Sequence, residues 1–106
     1  MVDIASDKKA SDIVLLDLRH VTVMADYFVI CTGTTDRQIK AITDDLQEKL
    51  KADDRLIPLH VEGTADSGWI LLDYGAVIVH VFSPTEREYY KLERIWSDAT
   101  VVLRML

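Results

Sequence analysis

The 106-residue chain has little of several residue types that limit function, beginning with cysteine. A single cysteine, Cys31, excludes an internal disulfide framework and is typical of a reducing cytosol, so we expect a cytoplasmic protein. Only 2 prolines and 4 glycines occur, whereas 49% of residues are hydrophobic, so the chain is expected to be globular rather than disordered. No apolar run approaches the about 20 residues that a membrane span needs, and the N-terminus lacks a secretion signal's apolar segment.

The sequence is also poor in positive charge. With 12 Lys and Arg against 18 Asp and Glu, its formal net charge is −6. Nucleic-acid binding depends on basic side chains that neutralise phosphates, so this composition opposes direct binding to RNA or DNA. Two interpretations of the acidity are left open: a surface that keeps the protein soluble, or one that meets a basic protein partner.

Residues 1–106 are predicted to form one domain, because no linker, repeat or low-complexity tract divides them. Residues 1–11 are polar and are interpreted as the frayed remnant of an N-terminal helix. Continuous apolar runs rich in β-branched residues indicate two buried strands, at residues 12–19 and 26–32. Only a short loop separates the two runs, which allows them to pair antiparallel.

Gly33 is predicted to end the second strand, and a helix is predicted to begin directly after it. Thr35 and Gln38 have the spacing of a capping box, in which each side chain satisfies a free backbone N–H of the other residue. Apolar residues then recur at helical spacing, namely Ile39, Ile42, Leu46 and Leu50. A short third strand is predicted at residues 56–61, and Pro58 within it indicates an edge strand or a bulge.

A second helix is predicted to follow the last long strand. Ser83 suits its N-cap, Pro84 its first helical position, and Glu86 the return contact of a capping box. Its apolar stripe consists of Tyr89, Leu92 and Trp96. The apolar segment at residues 100–106 is predicted to be a final strand or a packing tail. This order of elements predicts an α/β fold with a mixed β-sheet flanked by helices.

Residues 68–82 predict a β-hairpin that is apolar on both faces. We predict a two-residue turn at Tyr74–Gly75, which places Trp69 opposite His80. One face then consists of Trp69, Leu71, Ile78, His80 and Phe82, with Asp73 at its border. The other face consists of Ile70, Leu72, Val77, Val79 and Val81, and it is predicted to be the core beneath the helices.

The aromatic face of this hairpin has two interpretations. Trp and His have apolar bodies with polar tips, and such side chains are favoured at interfaces where one end stays wet. A binding surface for another protein is therefore one interpretation. The alternative is an ordinary core face covered by helices, which is common in α/β sheets.

The sequence gives little support for catalysis or metal binding. The three histidines lie on different predicted elements without a second ligand at zinc spacing, so no metal is expected. Cys31 lies among apolar residues and is predicted to be a small core residue. Residues 33–36 resemble the start of a nucleotidyltransferase site, but residues 56–61 lack the carboxylates that hold Mg²⁺ there. We expect no enzyme and no cofactor, with a nucleotidyltransferase-like, nucleotide-binding domain as the alternative.

Several motifs, taken in order, resemble those of the ribosomal silencing factor S, or Iojap-like, family. They are D-Y-F-V-I from Asp26, E-G at Glu62, W-x-L-x-D-x-G from Trp69, H-V-F from His80, and R-x-x-Y-x-L-E-x-x-W from Arg87. The resemblance covers residues 12–98, which is most of the chain.

This resemblance implies a nucleotidyltransferase-like fold without the catalytic carboxylates. It also implies a repressor of translation in starved or stationary cells. Factors of this family bind a basic protein of the large ribosomal subunit at an intersubunit bridge and sterically block joining of the small subunit. They are often homodimers when free, so a homodimer is expected here.

The hairpin face and the resemblance together predict the residues that contact the ribosomal protein. They are Trp69, Leu71, Asp73, Ile78, His80, Tyr90 and Glu93. The carboxylates of Asp73 and Glu93 are expected to pair with Lys or Arg of the partner. For Glu93 the alternative is an ion pair within the surface of its own helix.

Overall fold

A six-stranded mixed β-sheet forms the centre of the structure, which is a computed structural model and describes residues 1–105. The strands are β1 (Ser11–Asp17), β2 (Tyr27–Thr32), β3 (His60–Glu62), β4 (Trp69–Asp73), β5 (Val77–Phe82) and β6 (Thr100–Met105). The helices are α1 (Val2–Asp7), α2 (Asp36–Asp54), α3 (Pro84–Tyr90) and α4 (Leu92–Ile95), with a 3₁₀ turn at Ala65–Ser67. The predicted α/β class with a mixed sheet and flanking helices is confirmed.

The strand order in the sheet is β3-β4-β5-β2-β1-β6. Strands β2 and β5 pair in parallel at its centre, and all other neighbours are antiparallel. The predicted antiparallel pairing of the first two strands is therefore confirmed. The last apolar segment is an edge strand beside β1 rather than a packing tail, although Leu106 lies outside the described residues.

Each face of the sheet has its own hydrophobic core. Helices α1 and α2 cover one face, where the predicted apolar stripe of α2 is at most 3% exposed. Beneath α2 lie the buried side chains Ile70, Leu72, Val79 and Val81, with Val77 half-buried at the edge. The aliphatic face of the hairpin is therefore core, as predicted. Leu92 and Trp96 pack over the opposite face.

Helix α2 begins as the sequence indicates but with one changed contact. The Thr35 hydroxyl accepts a hydrogen bond from the Gln38 N–H at 3.1 Å, which satisfies one free donor of the first turn. The Gln38 side chain does not return to Thr35. Its Oε1 accepts from the Thr34 N–H at 2.7 Å, and its Nε2 donates to the Lys9 carbonyl at 2.8 Å. Gln38 thus ties α2 to the end of α1, and the predicted capping box is wrong in its second half.

The hairpin turn lies one residue later than predicted. The Tyr74 N–H donates to the Val77 carbonyl at 2.9 Å, so the turn residues are Gly75 and Ala76. Gly75 has φ +87°, which its missing Cβ allows in a tight hairpin turn. Trp69 consequently faces Phe82 rather than His80. Because this correction moves every partner by two positions, the two predicted faces keep their members.

The third strand is shorter than predicted and lies at the edge of the sheet. Strand β3 covers His60–Glu62, whereas the prediction began at residue 56. Pro58 has no N–H to donate to a ladder, so regular pairing starts only after it. The Leu59 N–H already donates to the Asp73 carbonyl at 2.7 Å. The predicted edge position is confirmed.

The start of α3 is only partly as predicted. Pro84 occupies the first turn, and the Ser83 hydroxyl accepts from the Glu86 N–H at 3.2 Å. The Ser83 N–H donates instead to the Gly68 carbonyl at 2.8 Å. The return contact predicted for Glu86 is therefore wrong, because the 3₁₀ turn before β4 supplies that partner.

The predicted second helix is broken in two. Lys91 adopts a left-handed conformation with φ 48° and ψ 53°, which ends α3 and starts the short helix α4. Tyr89, in the last turn of α3, points away from the core and is 77% exposed. The predicted stripe is therefore wrong for Tyr89 and right for Leu92 and Trp96.

The left-handed residue Lys91 makes a measurable prediction about stability. A side chain in this conformation costs about 1 kcal/mol relative to glycine, which has no Cβ to clash. Lys91→Gly should therefore be about 1 kcal/mol more stable than Lys91→Ala in urea denaturation. Both variants lose the same surface ion pair with Glu88, so their difference isolates the backbone. An alanine variant as stable as the glycine variant would contradict the left-handed assignment.

Candidate functional site

An aromatic cluster forms around Trp69 at the start of β4. The Trp69 ring centroid lies 4.9 Å from that of Phe82 on β5 and 4.5 Å from that of Tyr90 at the end of α3. The His80 ring lies 5.8 Å from Trp69 and 4.6 Å from Phe28. We call Trp69, His80, Phe82 and Tyr90 the aromatic cluster. Its members come from the hairpin and from α3, so it forms only when α3 packs on the sheet.

The polar atoms of the cluster fix its geometry. Trp69 Nε1 donates a hydrogen bond to His80 Nδ1 at 3.2 Å. Nδ1 must therefore be unprotonated, and the neutral imidazole carries its proton on Nε2. Burial lowers the pKa of His80 to about 4, because the interior disfavours the charged form. His80 is consequently neutral at pH 7 and orients the indole above it.

A cleft of about 260 Å³ opens beside the aromatic cluster. Trp69, Leu71 and Tyr90 supply its apolar wall, and the carboxylates of Glu62 and Glu86 supply acidic groups. Gly63 and Ser67 complete the lining, and among these residues none is basic. An apolar wall beside carboxylates suits a cationic side chain with an apolar stem, such as Lys or Arg.

Glycine is required at position 63 in the cleft. Gly63 has φ +85°, and a Cβ there would lie 2.0 Å from the Trp69 carbonyl oxygen. No side chain fits this approach, so the chain leaves β3 and passes Trp69 only with glycine present. This contact gives a physical reason for the E-G motif at Glu62.

The predicted contact residues do not all reach the surface. Trp69 and Leu71 are half-buried along the cleft, and Tyr90 is 38% exposed at its rim. Ile78 is only 7% exposed and His80 only 4%, because Leu92 and Trp96 help to cover that part of the sheet. The prediction that Ile78 and His80 touch a partner directly is therefore corrected. Their place is beneath the surface that Trp69 presents.

Asp73 lies at the other end of β4 and supports the hairpin turn. Its Oδ1 accepts a hydrogen bond from the Gly75 N–H at 2.8 Å. An aspartate that bonds to a backbone N–H two residues later stabilises a turn. The D-x-G motif therefore has a structural role, while a contact between Asp73 and a partner stays a prediction.

Glu93 is committed to a contact within the chain. Its Oε1 accepts from Arg87 Nε at 3.0 Å and lies 2.8 Å from Arg87 Nη2. Glu93 therefore does form an ion pair within the chain, but its partner is the buried Arg87 on α3 and not a surface residue of its own helix, as the alternative had it. Arg87 itself is 8% exposed and was not singled out from the sequence. An i to i+6 spacing does not bring two side chains together on one helix, so the sequence contains no local signal for this pair.

Comparison with known proteins identifies the family. The chain matches over residues 1–105 the family described as "Ribosomal silencing factor during starvation". This chain belongs to the ribosomal silencing factor family. It is 44% identical over 94 residues to the ribosomal silencing factor RsfS of Bacillus subtilis, covering 88% of this chain and 78% of the relative.

A solved structure and a mitochondrial protein extend the comparison. A crystal structure of a Chromobacterium violaceum protein superposes with a TM-score of 0.85 at 34% identity, covering 91% of this chain and 79% of that one. The mouse protein named "Mitochondrial assembly of ribosomal large subunit protein 1" is 30% identical over 99 residues. The match covers 92% of this chain but 43% of the mouse protein. The family resemblance read from the sequence is thus confirmed.

In this silencing factor, residues 33–36 have structural roles. A Cβ on Gly33 would lie 2.8 Å from Ile39 Cγ1, so glycine serves the packing of α2. The N–H of Thr34 and the hydroxyl of Thr35 are already engaged with Gln38. The features that suggested a nucleotide site are therefore explained by the start of a helix.

The cysteine and the candidate metal-ligating side chains can be placed in the same way. Cys31 is fully buried, and burial raises the pKa of its thiol to about 12, so it is a core residue as predicted. Residues 1–105 contain no group of three or more His, Cys, Asp or Glu side chains arranged to hold a metal ion. Within the same residues, no helix is both long and apolar enough to cross a membrane.

The buried imidazole of this silencing factor predicts how acid affects stability. The pKa of His80 is about 4 in the folded chain against 6.5 for the free group, so only the unfolded chain binds this proton between those values. Above pH 6.5 the imidazole is neutral in both states and the free energy of unfolding does not depend on it. As the pH falls from 6.5 toward 4, proton binding by the unfolded chain lowers the free energy of unfolding by about 3 kcal/mol in total. His80→Asn should remove that slope from the free energy of unfolding measured in urea between pH 7 and 4. An imidazole that titrates near pH 6.5 by NMR would contradict the assignment.

Proposed function

We propose that this silencing factor binds a basic protein of the large ribosomal subunit through the cleft at Trp69. The observation that carries the proposal is the cleft itself, where the half-buried Trp69 and the more exposed Tyr90 lie beside Glu62 and Glu86. Membership of the ribosomal silencing factor family supports a ribosomal partner. The name of the mouse relative, which refers to the large ribosomal subunit, supports that subunit over the small one.

The cleft has the features that concentrate binding energy in one place. Trp69 is half-buried and rigid, because Phe82 and Tyr90 stack on it and His80 accepts from its indole N–H. Little side-chain entropy is then lost on binding, and tryptophans of this kind are frequent hot spots. Lys or Arg of the partner would lie against the ring while pairing with Glu62 or Glu86.

Silencing requires only bulk at the binding site and no chemical step. The folded chain measures 33 × 32 × 23 Å along its principal axes. A body of this thickness at an intersubunit bridge keeps the two subunits apart by far more than the few ångströms that a bridge contact spans. The proposed action is therefore steric block of subunit joining, under starvation or in stationary phase. The proposed place of action is the cytoplasm.

Trp69→Ala tests the proposed surface. Loss of the indole should weaken binding to purified large subunits by about 30-fold or more, equivalent to about 2 kcal/mol. Tyr89→Ala is the matched control, because Tyr89 is 77% exposed and next to Tyr90 but does not line the cleft. The measurement is co-sedimentation at increasing protein concentration, with circular dichroism to establish that each variant is folded.

The outcomes of that titration separate the parts of the proposal. Binding of the unaltered chain to large subunits, but not to small subunits, supports the subunit assignment. Full affinity of folded Trp69→Ala would show that the partner binds elsewhere. Light scattering of mixed subunits tests the mechanism, since the bound protein should prevent the increase that accompanies their association.

We also propose that the free protein forms a homodimer through the β6 edge. Strand β6 has no neighbour on its outer side in the described sheet, and Val101 and Val102 are 57% and 54% exposed. Leu103 of the same strand adjoins an apolar cleft of about 440 Å³ beside α1. Strand β6 contains no Asp or Glu. Two acidic chains that pair along this strand would therefore avoid placing carboxylates against each other.

Sedimentation velocity over a range of concentrations tests the dimer. Val102→Lys should shift the distribution toward monomer by at least tenfold in dissociation constant, because each dimer would contain two opposed cations. Val23→Lys, at an exposed position on the β1–β2 loop, is the control. If the protein without substitutions is monomeric at all concentrations, the dimer is ruled out, and the proposal of ribosomal binding is unaffected.

A further inference from the structure

We infer that Arg87 and Glu93 form a clasp across the left-handed residue Lys91, which holds Tyr90 against Trp69 and keeps the cleft in its binding shape. The clasp is the pair of side chains Arg87 and Glu93. This inference rests on the proposed function of the cleft. It makes Arg87 and Glu93 positioning residues that act through Tyr90, not residues that touch the partner.

The contacts of Arg87 join three separate parts of the chain. Its Nη1 donates to the Asp12 carbonyl at the start of β1 and, at 2.9 Å, to the Thr32 hydroxyl at the end of β2. Its Nε donates to Glu93 Oε1 at 3.0 Å on the far side of Lys91. The guanidinium therefore anchors α4 and the sheet to the same point on α3. A planar group with five donors is suited to such a junction, whereas lysine is not.

The backbone between the two clasp residues is strained. Lys91 has φ 48° and is not glycine, a conformation that persists only when surrounding contacts impose it. Tyr90 immediately precedes Lys91, so its ring position depends on where α3 ends. Trp96, beyond the break, packs edge-on against Phe28 with centroids 5.7 Å apart. The clasp joins the two sides of the break and so determines both placements.

The burial of the clasp residues indicates that they position Tyr90 and do not contact the partner protein themselves. Arg87 is 8% exposed, and the Glu93 side chain is 29% exposed with its Oε1 facing Arg87. A partner cation would have to compete with a buried guanidinium for that oxygen. Without the clasp, Lys91 is free to leave the left-handed conformation, and Tyr90 then moves from the wall of the cleft. The partner would have to restore the wall on binding, which reduces affinity.

Glu93→Gln is the variant that tests the clasp, because it keeps the side-chain shape and removes the charge. The matched control is Glu88→Gln, which removes one negative charge from α3 where the side chain is 80% exposed and paired only with Lys91. Glu93→Gln should lower the affinity for large subunits about tenfold, and Glu88→Gln should leave it within about twofold. Arg87 substitutions are less useful, since loss of a buried junction is liable to unfold the chain.

A second measurement reports the exposure of Trp69 in the cleft and needs no ribosomal subunits. In a Trp96→Phe background, Trp69 is the single tryptophan, and acrylamide quenching of its fluorescence reports its exposure. Glu93→Gln should increase the quenching constant about twofold well below the unfolding temperature, because Tyr90 no longer covers the indole. A quenching constant equal to that of Glu88→Gln would overturn the inference, whether or not the unaltered chain binds large subunits.

A double-mutant cycle distinguishes positioning from direct contact. If Glu93 acts through Tyr90, Glu93→Gln should cause no further loss of affinity in a Tyr90→Ala background. Losses that simply add in the double variant would show that Glu93 contacts the partner itself and would overturn the inference. If the unaltered chain does not bind large subunits, the proposed function fails, and the quenching experiment alone decides whether the clasp exists.

Discussion

The parallel pairing of β2 with β5 is the interaction on which the rest of the structure depends. It runs from Tyr27 opposite Val77 to Thr32 opposite Phe82 and joins the two antiparallel halves of the sheet. Parallel neighbours need a long crossover, and α2 supplies it while burying one face. The other face is left for α3 and α4 to cover. Because these helices are short, the cover is incomplete, and Trp69 remains partly exposed at its edge.

The candidate site is a consequence of that incomplete cover. The indole N–H of Trp69 has to be satisfied inside the protein while part of the ring stays exposed. His80 solves the first requirement and remains neutral because it is buried. Tyr90 and Phe82 hold the ring without covering it fully. The same contacts that stabilise the fold therefore also shape the candidate site.

Much of the architecture is predictable from local patterns, and the exceptions have physical reasons. The strands, the α2 stripe and the two hairpin faces follow from apolar periodicity, which depends on neighbours close in sequence. Lys91 breaks a helix without glycine or proline to signal it. Arg87 gives no sign of burial, because Asp12 and Thr32 lie 75 and 55 residues away along the chain. The cleft is likewise nonlocal: Glu62, Trp69 and Glu86 come from three elements. Family motifs located the region, but not which side chains face outward.

The turn at Gly75 and Ala76, one residue later than predicted, shows that the two faces of the hairpin depend only on the alternation of side chains along each strand. Moving every cross-strand partner by two positions left the aromatic and aliphatic faces unchanged, since side chains alternate with a period of two. A pairing that slips by one residue, with no bulge to absorb it, would direct the aliphatic side chains of one strand outward and its aromatic side chains into the core. The identity of each face therefore depends on whether the register changes by an even or an odd number of residues, and not on which residue the chain uses to turn.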